Sequence, residues 1–257
     1  MGGFDQKHVI VTGGGGGGGI GSQTVRRFAA AGARVAIFDR DLAAASRLAD
    51  EIAATGGEAL AFACDITDRA QIDAAVEAAR LAFGPVSVLV NNAGWDIFRP
   101  FLKTDADEWR KLIDINLVGA LHMHHAVLPD MIAGNAGRII NIASDAARVG
   151  SSGEAVYAAC KAGLVGFSKT IAREHARHNI TVNVVCPGPT DTALLASVTD
   201  GAGDPEKLRE AFRRAIPLGR IGSADDLPGA ILFFASDDAS FITGQVLSVS
   251  GGLTMAG

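Results

Sequence analysis

The chain has one tyrosine, two tryptophans and three cysteines in 257 residues, and aromatic side chains make up only 6% of it. The cysteines, Cys64, Cys160 and Cys186, are too few and too scattered for a disulfide framework or a zinc site. They read as free thiols of a cytoplasmic protein. Positive charge is also in short supply, with 23 Lys and Arg against 28 Asp and Glu, a net −5 and no long basic run. Nucleic acid is therefore not an expected partner. No apolar stretch is long enough to cross a bilayer and no signal-peptide pattern opens the chain, so no membrane association is expected. His122, His124 and His125 stand at i, i+2 and i+3, which does not place all three on one face of a helix. They read as structural, and no metal is expected.

Apolar residues, at 48%, and glycine, at 32 residues, are what the chain has in quantity. That length and content suit one sizeable domain with a substantial core, spanning residues 1–257. Short apolar runs are expected as strands at Lys7–Thr12, Arg34–Phe38, Ala59–Ala63, Val86–Val90, Arg138–Ile142, Ile180–Val185 and Val246–Val249. Helical stretches separate them at Ser22–Ala31, Leu42–Ala54, Asp68–Phe83, Asp107–Met131, Glu154–His178 and Ala224–Ala235. Such alternation predicts an α/β fold, a parallel sheet of about seven strands with helices on both faces. Residues 191–215 break the alternation and read as a mobile segment that covers a site.

Strand one ends in Val11-Thr12, and seven consecutive glycines, Gly13 to Gly19, follow before Ile20-Gly21. A glycine-rich turn between strand and helix lets the backbone approach a pyrophosphate, and the helix N-terminus adds N–H donors and a favourable dipole. Asp39 closes strand two, 18 residues after Gly21. An acid there accepts hydrogen bonds from the adenosine ribose and repels a 2′-phosphate, which favours NAD over NADP. Arg40, next in the chain, could accommodate that phosphate and leaves NADP open.

Tyr157, the single tyrosine, precedes Lys161 by four residues, so the two share one helix face. A cation beside a phenol favours the phenolate and draws its pKa down from about 10. A phenol tuned in this way exchanges a proton with an alcohol or a ketone.

These features, in this order, resemble the short-chain dehydrogenase/reductase family over the whole chain. Thr12-Gly13 through Gly19-Ile20-Gly21 is similar to its T-G-x-x-x-G-I-G loop, and Asn91-Asn92-Ala93-Gly94 to the N-N-A-G segment after strand four. Cys64-Asp65 resembles the position that meets the adenine. Asn116 matches the family's helix asparagine, and Ser144 stands thirteen residues before Tyr157. Pro187-Gly188, with Thr190 and Thr192 behind it, resembles the segment near the nicotinamide amide. Ile242-Thr243-Gly244-Gln245 and Ser250-Gly251-Gly252 resemble the C-terminal signature. The resemblance implies a single-domain, Rossmann-type doubly wound fold, a homotetramer, and a site of Asn116, Ser144, Tyr157 and Lys161. Tyr157 would take the alcohol proton, Lys161 would hold its pKa down, Ser144 would position the substrate oxygen, and Asn116 would hold a water that links Lys161 to solvent. One departure stands out. Five residues, not three, separate Gly13 from Gly19, so the loop is two glycines too long and its contacts with the pyrophosphate are unassigned.

The substrate pocket is expected to involve Trp95, Asp96 and Phe98, then Asp145, Arg148, Val149 and Gly150, then the segment from Asp191. Gly94 to Phe98, Ser144 to Glu154 and Leu121 to His125 are similar to one subgroup, the 2-hydroxycyclohexanecarboxyl-CoA dehydrogenases of aromatic-acid degradation. That similarity implies oxidation of a ring hydroxyl beside a CoA thioester, with Arg148, Arg213, Arg214 and Arg220 as candidates for the CoA phosphates. Two alternatives remain beside this NAD-dependent reading. One is an NADPH-dependent 3-oxoacyl thioester reductase. The other is a non-catalytic nucleotide sensor, which would tolerate loss of the tyrosine, lysine or serine present here.

Overall fold

The computed structural model describes residues 3–200 and 204–256. In chain order the elements are β1 (His8–Thr12), α1 (Ile20–Ala30), β2 (Arg34–Asp39), α2 (Leu42–Ala54), β3 (Glu58–Ala63), α3 (Arg69–Phe83) and β4 (Val88–Asn91). Then come α4 (Ala106–Ile113), α5 (Gly119–Ala133), β5 (Gly137–Ile142), α6 (Ala146–Val149), α7 (Ala155–His175) and β6 (Ile180–Pro187). The last part holds β7 (Thr190–Asp191), α8 (Ala193–Asp200), α9 (Pro205–Ala215), β8 (Gly222–Ser223), α10 (Pro228–Ala235) and β9 (Val246–Val249).

Seven strands among the described residues form one parallel sheet in the order β3-β2-β1-β4-β5-β6-β9. Parallel strands covered on both sides must be apolar on both sides, and β1, β4 and most of β6 are buried throughout. The period of two divides them between two cores. Val9, Val11, Val35 and Ile37 pack under α1, α2 and α10, with Phe28, Leu48 and Ile231. Ile10, Ala36, Leu89 and Val182 pack on the other face, with Val76, Met123, Val127 and Met131. The strand order reverses between β1 and β4, and that switch point opens a crevice at the carboxyl ends of the strands.

Two expectations change in detail. The helix expected over Asp107–Met131 is continuous, but Asp114–Val118 forms a π-helical turn between α4 and α5. Such turns mark an inserted residue and often sit at functional sites. Residues 191–215 form α8 and α9, with residues 201–203 of that span lying outside the described residues. No helix among the described residues is long and apolar enough to cross a membrane.

Candidate active site

A cavity of about 990 Å³ follows the carboxyl ends of β1, β2, β4, β5 and β6. Its dinucleotide half is built on the glycine loop. Gly13 (φ 64°) carries no Cβ that would strike Ala93, and a Cβ on Gly21 would lie 2.3 Å from the Gly13 carbonyl oxygen. This close approach of helix to strand is what the third glycine of a dinucleotide loop provides. Gly19 caps α1 with no side-chain hydrogen bond, so the N–H groups of the first turn face the cavity without a side-chain acceptor. Thr12 Oγ1 accepts from the N–H groups of Asn92 (3.0 Å) and Ala93 (3.1 Å), and Asn92 Nδ2 donates to the carbonyls of Thr12 and Gly13 at 3.0 Å. The loop after β4 is thereby fixed to the glycine turn.

Within the enlarged turn Gly14 and Gly15 are buried, and Gly16, Gly17 and Gly18 are exposed. Gly16, Gly17, Gly19, Ile20 and Gly21 line the cavity, whereas Gly14 packs toward Ile37 and Val25, and Gly15 toward Ala45. Gly15 N–H donates to Asp39 Oδ2 at 2.9 Å, and Asp41 N–H donates to Oδ1 at 2.9 Å. The enlarged turn therefore orients the acid at the end of β2. Asp39 and Arg40 both line this part of the cavity, followed at the far end by Cys64 and Asp65. Asp65 is held by Thr67, through N–H at 2.9 Å and hydroxyl at 2.7 Å. These donors and acceptors fit a nicotinamide dinucleotide, whose ring supplies the hydride chemistry when bound.

The other half is lined by Ser144, Tyr157 and Lys161, together with Pro187, Gly188, Thr190 and Thr192. Tyr157 and Lys161 lie on α7 and are 8% and 3% exposed. Lys161 Nζ donates to the Ile142 carbonyl at 2.9 Å and lies 5.6 Å from the Tyr157 ring centre. Burial pulls the ammonium down to about 8. The phenol departs from the sequence expectation: burial pushes it above its ordinary value, and Asp96 and Glu154 push the same way. Only the Ser144 hydrogen bond pulls it down among the stronger influences. Desolvation and two acids outweigh what the lysine on the same helix face contributes.

Asn116 is buried in the π-turn, off the cavity wall. Its Nδ2 donates to the carbonyls of Trp95 (2.7 Å) and Leu112 (3.0 Å), and its Oδ1 accepts from Trp95 N–H at 3.3 Å. It ties the loop after β4 to the helix distortion that presents it. Trp95, Asp96 and Phe98 line the substrate end with Asp145, Val149 and Gly150. Arg148 does not. Its guanidinium donates to Ser248 Oγ at 2.8 Å and to the Ala256 carbonyl, so the expected substrate contact is replaced by a tie to the C-terminal segment. The other candidate arginines are also engaged: Arg213 and Arg214 with Glu210, Arg220 with Asp226. Sequence reasoning did not single out Glu154 or Lys111, which also line the cavity, whereas Leu194, Leu195 and Phe212 do so from the segment expected to cover it. Glu154 lies three residues before Tyr157, and helical spacing was the available signal. His124 is buried elsewhere, within reach of Asn91, Asn141 and the Ala120 carbonyl.

The family described as enoyl-(acyl carrier protein) reductase matches residues 15–254. The chain is 38% identical over 252 residues to the 3-oxoacyl-(acyl-carrier-protein) reductase FabG of Salmonella typhimurium, covering 98% of this chain and 99% of that one. It is 37% identical over 253 residues to subunit BbsD of the (2S)-((R)-hydroxy(phenyl)methyl)succinyl-CoA dehydrogenase of Thauera aromatica, covering 98% of each. It is 39% identical over 247 residues to the 2,3-dihydroxy-2,3-dihydro-p-cumate dehydrogenase of Pseudomonas putida, covering 96% and 93%. The crystal structure of levodione reductase superposes with a TM-score of 0.93 at 31% identity, over 97% of this chain and 98% of that one. With the tyrosine, lysine and serine lining the same crevice, the chain belongs to the short-chain dehydrogenase/reductase family, oxidoreductases that act on hydroxyl and ketone groups.

Proposed function

We propose that this enzyme oxidises a secondary hydroxyl beside an acyl thioester, with NAD as hydride acceptor, and that its substrate resembles a 2-hydroxycyclohexanecarboxyl-CoA. The observation that carries the cofactor choice is Asp39. Its carboxylate ends β2 on the cavity wall, held by Gly15 and Asp41, where it would accept from ribose hydroxyls and repel a 2′-phosphate. Support for a thioester comes from the relatives, two of which are named for acyl-carrier-protein or CoA substrates. In this reading Tyr157 exchanges the proton with the substrate oxygen, Ser144 fixes that oxygen, and Lys161 holds the ribose beside them. Asn116 holds the loop that carries Gly94 and Trp95. Leu194 and Leu195 of α8 and Phe212 of α9 line the substrate end, and the CoA phosphates lie toward solvent.

A second reading, an NADPH-dependent 3-oxoacyl thioester reductase, is favoured by Arg40, which lines the cavity beside Asp39, and by the similarity to FabG. Nicotinamide absorbance separates the two. Purified protein is supplied with a 2-hydroxycyclohexanecarboxyl-CoA and NAD or NADP in parallel, then with a 3-oxoacyl thioester and NADH or NADPH. NADH formation that falls by about 10²-fold or more in Tyr157→Phe supports the first reading. Faster turnover of the 3-oxoacyl thioester with NADPH replaces it with the second.

A further inference from the structure

Asp145, Val149 and Gly150 line the cavity, while Arg148, which stands among them in the chain, lies off the wall. Its guanidinium reaches the C-terminal segment at two places. It donates to Ser248 Oγ, on β9, at 2.8 Å, and to the Ala256 carbonyl. The Ser248 hydroxyl donates in turn to Asp145 Oδ1, and Asp145 N–H donates to the Pro187 carbonyl at 3.0 Å. Between the two ends of this clasp the chain turns: Leu253 N–H donates to the Ser250 carbonyl at 3.2 Å, and Thr254 N–H to Ser250 Oγ at 3.3 Å. The turn starts beside Gly188, whose N–H donates to the Val249 carbonyl at 3.1 Å. It then meets the residues after α9, where Leu218 N–H donates to the Gly251 carbonyl at 3.1 Å. Leu253 and Thr254 line the cavity. Among the described residues, no hydrogen bond other than that of Arg148 holds Met255 or Ala256.

We propose that Arg148 is a positioning residue: it clasps the C-terminal turn so that Leu253 forms a wall of the substrate end, and that wall selects for a bulky hydrocarbon group on the substrate. Leu253 shares the cavity with Val149, Leu194, Leu195 and Phe212, apolar side chains carried by α6, α8 and α9. An apolar wall assembled in this way gains binding with each methylene of substrate that it covers. A loose turn forfeits that gain, because the substrate must first order it. The sheet does not depend on the clasp. β9 pairs with β6 through Val246 to Val249, and Asp145 keeps its bond from Ser248 without the guanidinium. Loss of Arg148 therefore loosens the turn and leaves the fold standing.

The inference rests on the thioester reading only for the choice of its first substrates. Arg148→Met keeps an unbranched stem and removes the donors; Arg148→Lys restores one. Hydrogen exchange of the full chain, without substrate, reads the clasp. Residues 250–256 are expected to exchange about tenfold faster in Arg148→Met, the loss of one charge-assisted hydrogen bond. Nicotinamide absorbance then compares 2-hydroxycyclohexanecarboxyl-CoA with the slimmer 3-hydroxybutyryl-CoA. Leu253→Ala and Arg148→Met are each expected to raise KM for the ring substrate, and to lower the ratio of kcat/KM for ring over short substrate, by about tenfold. Arg148→Lys recovers part of that loss. The double variant loses no more than Leu253→Ala alone, since the arginine acts through the leucine. A merely structural role would lower both substrates alike. Unchanged exchange, an unchanged ratio, or losses that multiply in the double variant overturn the proposal. If neither thioester is turned over, the thioester reading fails; cyclohexanol against propan-2-ol then decides the wall with the same variants, and hydrogen exchange still decides the clasp.

Discussion

Replacing Lys161 by Met should remove activity and stabilise the fold. The Lys161 side chain is 3% exposed, and burial lowers its pKa from 10.5 to about 8. A folded-state pKa below the unfolded value means that the unfolded chain binds the proton more tightly. Below pH 8 the folded protein carries the whole penalty, about 3 kcal/mol for a shift of that size. The penalty is relieved as pH rises from 8 to 10.5, so wild-type stability should climb across that window. Met is unbranched, close in length and uncharged. It forfeits the 2.9 Å bond to the Ile142 carbonyl, a loss of about 1 kcal/mol. The net gain at pH 7 is about 2 kcal/mol, or about 4–8 °C in melting temperature for a chain of this size. Parallel thermal melts at pH 7 and pH 10.5 read both the gain and its disappearance. A variant less stable than wild type at pH 7, or one whose advantage is the same at both pH values, would refute the electrostatic reasoning.

Gly21→Ala should abolish dinucleotide binding while leaving most of the sheet intact, because its Cβ would lie 2.3 Å from the Gly13 carbonyl oxygen and 2.5 Å from Asn92 Nδ2; equilibrium dialysis with NAD reads the loss, and unimpaired binding would show that the turn can relax. Deleting Gly14 and Gly15 removes the N–H that donates to Asp39 Oδ2. That should alter the ratio of NAD to NADP affinities by several-fold, about 1 kcal/mol for one charge-assisted hydrogen bond; calorimetric titration with each cofactor checks it, and an unchanged ratio would sever the link between loop and acid. Cys64, Cys160 and Cys186 are buried, and burial raises all three thiols, Cys64 to about 12 and Cys186 to about 11. At pH 8 the native protein should react with an aromatic disulfide only slowly, releasing three equivalents once denatured; rapid labelling of the folded chain would contradict the burial.

Local patterns made much of this molecule legible from sequence. Leu42–Ala54 and Val246–Val249 were bounded as the structure has them, since apolar period and flanking Asp or Gly mark their ends. Tyr157 and Lys161 were readable because one helix face joins them. The π-turn at Asn116 was not, since Asp114–Val118 holds neither glycine nor proline and the extra residue leaves no compositional trace. Arg148 looked like a substrate ligand by its place in the chain, but its partners lie 100 and 108 residues away. The direction of the Tyr157 shift was misread for a related reason. The lysine is four residues distant in sequence, while the opposing Asp96 arrives from the loop after β4. Contacts that depend on the closed fold carry no local signature.

The sheet has a working end and an idle end. Every group assigned to chemistry or cofactor stands beyond the carboxyl ends of the strands, whereas the turns that bring α2 into β3 and α3 into β4 lie at the other end. Gly56 and Gly84 reverse the chain there with φ of 83° and 81°, and nothing lies within 4 Å of where their Cβ atoms would be. Inserted peptide at those turns would meet solvent and leave the crevice untouched. An affinity tag, a fluorescent reporter or new chain ends can therefore be grafted on the idle side, so that the enzyme can be immobilised with its mouth facing outward.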